Sequence, residues 1–111
     1  NLGGSNQGAN PVEYLLAALS GCLNVVGHLV ASEMGFKLNG LEINLEGDLD
    51  PAKFSGQSTK NRAGFSDIRV MIKPDTDADK DTLDKWIKEI ELRCPVSDNI
   101  ANKTPVHIML G

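Results

Sequence analysis

Asn10-Pro11-Val12-Glu13-Tyr14-Leu15-Leu16-Ala17-Ala18-Leu19-Ser20-Gly21-Cys22 opens the stretch on which the fold turns, and Leu23-Asn24-Val25-Val26-Gly27-His28-Leu29-Val30-Ala31-Ser32-Glu33-Met34 continues it. Asn10 is a good N-cap, Pro11 takes the first helical position, and Glu13 stands where a capping-box acid belongs. Gly35 supplies the stop. The pattern predicts a helix over 11–34, roughly 36 Å long. It is apolar nearly all round, through Leu15, Leu16, Leu19, Leu23, Val26, Leu29 and Val30. Such a helix is either buried or membrane-spanning. A span needs about twenty residues with almost no polar interruption. Here Ser20, Gly21, Asn24, Gly27 and His28 interrupt the run along one helical stripe, where small residues let another element approach. The expectation is a buried central helix and no membrane partner.

Before this helix, residues 1–8 are Gly, Ser, Asn and Gln with one Leu, which is loop chemistry. After it, Leu41 to Leu49 alternates, with Leu41, Ile43 and Leu45 on one face and Glu42, Asn44, Glu46 and Asp48 on the other. That is a half-buried strand. Phe65 to Ile72 alternates less cleanly, with Ile68, Val70 and Ile72 inward. Between them, residues 50–64 read as a long exposed connection. The acidic run Asp75 to Asp81 leads into a second helix, whose apolar set Leu83, Trp86, Ile87 and Ile90 follows the 3.6-residue period. Pro95 breaks it and opens a short helix to about Ala101. Val106 to Leu110 reads as a closing strand. The result is one α+β domain over 1–111. Two or three strands are too few to cover so long an apolar helix, so further strands or a partner chain must do it.

Composition narrows the function. The 111 residues are 41% apolar and 23% charged, which suits a globular domain. Net charge is −4, no two Lys/Arg residues are adjacent, and aromatics make up 5%. Nucleic acid is therefore an unpromising partner. Two cysteines are too few for a disulfide scaffold, and no signal pattern opens the chain, so the reading is cytosolic. A zinc site from Cys22, His28, Cys94 and His107 lacks short ligand spacing. No metal or organic cofactor is expected.

The cysteines are the suggestive residues. Cys22 lies mid-helix among apolar neighbours, which raise a thiol's pKa. Glu13 is nine residues away, about 180° round the helix, and cannot touch it within one chain. Cys94 sits between Arg93 and a Pro-initiated helix, near positive charge and free N–H groups that lower a thiol's pKa. On local physics Cys94 is the better thiolate and Cys22 the better core residue. The bland alternative is that both are small buried hydrophobes.

Asn10 to Cys22 resembles the first cysteine motif of OsmC/Ohr proteins (osmotically inducible protein C and organic hydroperoxide resistance protein). Cys94-Pro95-Val96-Ser97 resembles the second, and the order of elements fits over about 8–110. The resemblance implies an intertwined homodimer and a thiol peroxidase of the stress response. Cys22 would match the peroxidatic cysteine and Cys94 the resolving one. A small peroxide is the implied substrate, with an external thiol as reductant, and the two cysteines are expected to approach each other. Two features depart from the pattern. The activating Arg belongs to N-terminal strands that this sequence does not contain. The acid expected directly after the motif Pro is Val12, with Glu13 one place later, so Glu13 is a candidate catalytic residue or only a cap. The alternative readings are a non-catalytic ligand-binding or interaction dimer, and a disulfide-exchange protein.

Overall fold

A computed structural model of the chain describes residues 10–111. The loop reading of residues 1–8 lies outside the described residues. The elements are α1 (Pro11–Met34), β1 (Gly40–Leu49), β2 (Phe65–Asp75), α2 (Lys80–Arg93) and α3 (Pro95–Ala101). Chain order therefore follows the sequence reading up to α3.

α1 starts and stops as its ends dictate. The Asn10 side chain accepts from the Glu13 N–H at 2.9 Å, and Glu13 Oε1 accepts from the Asn10 N–H at 3.0 Å. That reciprocal pair satisfies two N–H groups that the helix cannot. Gly35 closes the helix at φ 79°, a left-handed conformation that glycine adopts without Cβ strain. β1 and β2 form a two-stranded antiparallel sheet, with Ile43 opposite Ile72 and Leu45 opposite Val70. On the outer face Glu46 lies opposite Arg69, whose guanidinium also bonds Asp48 and Asp67. Apolar alternation on one face and this charge pairing on the other specify the same register.

α1 packs against β1 on one side and α2 on another, around Leu19, Leu23, Val26, Val30, Ala31, Trp86, Ile90 and Cys94. Trp86 anchors the layer. It is fully buried, its Nε1–H donates to the Gly27 carbonyl at 2.8 Å, and Phe36 meets its ring edge-on. Gly27 permits this approach: a Cβ there would lie 3.0 Å from Leu41 and 3.3 Å from the indole. The small-residue stripe thus serves as expected at Gly27, but Gly21, Asn24 and His28 are exposed.

Val106 to Leu110 corrects the sequence reading, because no strand forms there. Val106, Ile108, Met109 and Leu110 are 77% to 103% exposed. Alternation gives a segment strand character, but a strand also needs an edge to pair with, and this one meets none among the described residues. α1 is likewise only partly covered. Among the described residues it is the one helix long and apolar enough to cross a membrane, with a third of its most apolar stretch buried. Its packing against α2 and the sheet is that of a core helix. Tyr14, Val25 and Leu29 stay exposed at 62%, 66% and 48%.

Candidate functional site

The two cysteines meet. Cys22 and Cys94 are both free thiols, and their Sγ atoms are 3.0 Å apart. α1 carries Cys22 at its middle. Pro95 carries Cys94 by ending α2, which leaves Cys94 as both the C-cap of α2 and the N-cap of α3. A proline cannot donate into the preceding helix, so the chain must turn here. The turn swings Cys94 inward, where its Sγ accepts the Ser97 N–H at 3.5 Å and its thiol donates to Cys22 Sγ.

The environment of Cys94 runs against the expectation from local physics. Cys94 is fully buried and Cys22 only partly so. Burial pushes the Cys94 thiol above its ordinary value, and the contact with Cys22 pushes the same way. The N–H groups of Ser97 and Val96 oppose these effects without overcoming them. Arg93 gives no help, because its guanidinium turns to Glu33 at 2.6 and 3.0 Å and ties α2 to the end of α1. Cys94 is therefore the more buried sulfur of the pair, and Cys22 is the one a small molecule can reach.

Glu13 is not brought to this pair. It is spent in the α1 cap, about 13.5 Å along the helix axis from Cys22. His28 is exposed and bonds the Asn24 carbonyl, and His107 is exposed in the C-terminal segment. Among the described residues no three His, Cys, Asp or Glu side chains could hold a metal ion. An open cleft of about 640 Å³ lies between α1, β2 and α3, and neither cysteine lines it. Leu19, one turn before Cys22, lines it, and so does Ser97. Arg62 lines it too. The sequence reading passed over Arg62 as part of a loop, because no local pattern marks which loop residue faces a cleft.

Comparison with known proteins speaks to the fold and the family. No curated protein sequence matches the chain. Among solved structures it is similar to the OsmC-like protein from Mycoplasma pneumoniae. The TM-score is 0.76 at 20% identity, covering 86% of this chain and 64% of that one. At that identity the likeness speaks for the fold. The family model described as OsmC-like protein matches residues 4–109. With both cysteine motifs inside that span, the chain belongs to the OsmC-like protein family.

Proposed function

We propose that the chain is the reactive core of a thiol-dependent peroxidase, a cytosolic homodimer that reduces hydrogen peroxide or an organic hydroperoxide. The observation that carries the reading is the 3.0 Å approach of a reachable Cys22 to a buried Cys94. Membership of the OsmC-like family supports a stress-related role, and the uncovered apolar face of α1 supports the dimer.

In the cycle, the Cys22 thiolate attacks the outer oxygen of ROOH. The O–O bond breaks, the alkoxide takes up a proton and leaves as ROH, and Cys22 becomes a sulfenic acid. The Cys94 sulfur gives up its proton and attacks Cys22 Sγ. The S–O bond breaks, water leaves, and a disulfide forms. An external dithiol then returns two electrons and two protons and is itself oxidised. The cycle uses no metal or organic cofactor.

Cys→Ser variants followed by mass spectrometry test the roles. Cys22→Ser is expected to abolish peroxide consumption. Cys94→Ser is expected to complete a first turnover and trap Cys22 as sulfenic acid, which excess peroxide drives to sulfinic acid. Oxidation of Cys94 first would reverse the roles. If neither sulfur oxidises, the fold acts as a binding or interaction dimer. Disulfide exchange without peroxide consumption would mark the third reading.

A further inference from the structure

Apart from any redox chemistry, the two thiols are a preorganised pair of sulfur ligands. Both are free, and their Sγ atoms stand 3.0 Å apart. Each is fixed by a different element. Cys22 rides on the middle of α1, and Cys94 is set at the break between α2 and α3 by Pro95. The Glu33–Arg93 ion pair, at 2.6 and 3.0 Å, ties the end of α2 to the end of α1 and supports the spacing. Sulfurs already side by side lose little freedom when one centre binds both, which favours a chelate over two separate contacts.

The spacing discriminates among thiol-seeking centres. Thiolate sulfur prefers soft ones. With bonds of about 2.3 Å, a linear centre needs sulfurs about 4.6 Å apart and a tetrahedral one about 3.8 Å. A pyramidal centre whose two sulfur bonds meet near a right angle needs only about 3.2 Å. The observed 3.0 Å suits the pyramidal centre. Ligand number points the same way. Among the described residues no three His, Cys, Asp or Glu side chains gather to hold a metal ion. Zinc would therefore find two of its usual four protein ligands. A centre that brings its own third substituent needs the two sulfurs alone. Trivalent arsenic bearing one organic group is soft, pyramidal and already carries that substituent. There is also room for it. Ala18 and Gly21, beside the half-buried Cys22 on α1, are small and exposed, and a Cβ on Gly21 would meet nothing within 4 Å.

We propose that Cys22 and Cys94 together form a capture site for monosubstituted trivalent arsenicals, R–As=O. The reachable Cys22 sulfur adds first, and Cys94 closes the second bond from the buried side. Two As–S bonds form and the As–O bond breaks. The oxygen leaves as one water with both thiol protons, and no atom changes oxidation state. The proposal needs the two thiols side by side and does not rest on the peroxidase reading.

The test adds phenylarsine oxide to the reduced full chain, followed by intact-mass spectrometry and a thiol count after denaturation. Wild type is expected to bind one equivalent, to gain the mass of the probe less one water, and to lose both thiols. A dithiol such as 2,3-dimercaptopropanol should strip the probe, whereas the same concentration of 2-mercaptoethanol should not. Cys22→Ser and Cys94→Ser should each bind at least about a hundredfold more weakly, because one sulfur cannot chelate. Zinc at equal concentration should leave both thiols countable. An adduct that keeps its oxygen, leaves one thiol free or yields to the monothiol overturns the proposal, as does equal protection by zinc. If a serine variant fails to fold, the adduct mass and the release pattern of wild type decide the matter alone. Arsenical capture without peroxide consumption would sustain this site while the peroxidase reading fails.

Discussion

Trp86 and Cys94 show how much single side chains decide here. Trp86 fills the core with an indole whose one polar atom is bonded to Gly27. Trp86→Phe removes that donor and part of the ring, leaving a buried carbonyl with one partner fewer. The expected loss is about 2 kcal/mol. It should appear as a lower urea midpoint at unchanged m-value. Cys94 carries a pH signature. Its thiol is held above its ordinary value of 9.0 by burial, so the unfolded chain ionises it at lower pH than the folded one. The stability it contributes is complete below about 9 and is lost as pH rises through the folded value. Urea midpoints from pH 7 to 10.5 should fall more steeply in wild type than in Cys94→Ala. At pH 7.5, iodoacetamide followed by mass spectrometry should find Cys22 alkylated well before Cys94, because Cys94 is both buried and protonated. Faster labelling of Cys94 would contradict the burial argument. The pairing of these residues was partly legible beforehand. Trp86 sat on a 3.6-residue apolar period, but its partner Gly27 stood 59 positions away, and no local rule joins them.

The ends of α1 are where local sequence speaks most directly. Asn10, Pro11, Glu13 and Gly35 act through bonds to residues within four or five positions, so their roles follow from order alone. Asn10→Ala should therefore cost about 1 kcal/mol of stability. It should leave the rate of Cys22 oxidation within about twofold, since the cap lies far along the helix from the thiol. A large loss of oxidation rate with intact stability would instead give the Asn10–Glu13 pair a part in the chemistry. The junction of α2 and α3 shows the opposite case. Pro95 announces the break, and the sequence also places Arg93 next to Cys94. Only the folded chain shows that Glu33, 60 residues earlier, takes the guanidinium away. The Val106–Leu110 segment fails as a strand for a related reason: its alternation is genuine, but pairing depends on an edge that is remote in sequence.

For the whole molecule, the mismatch between a 24-residue apolar helix and a two-stranded sheet is the dominant fact. Tyr14, Val25 and Leu29 lie on an exposed side of α1, and the partly covered Cys22 stands at the edge of that side where α1 meets Cys94. A contiguous exposed apolar patch on a soluble domain marks an interaction surface. A second copy covering it would also remove water from beside Cys22. Sedimentation at micromolar concentration should therefore find a dimer. Val25→Asp should shift it to monomer by placing a charge in the covered face. A wild-type monomer that stays fully folded under the same conditions would defeat the dimer.

The order of elements up to α3, the ends of α1, the inward faces of both strands and the identity of the two cysteines all follow from sequence, because each rests on periodicity or on bonds between near neighbours. The tertiary structure alone decides which thiol is buried, where Arg93 spends its charge, that Arg62 borders the cleft, and that residues 106–110 lack a strand partner. Each of those depends on groups far apart in the chain. Burial and electrostatics act through space, and local order does not encode the distance between remote residues.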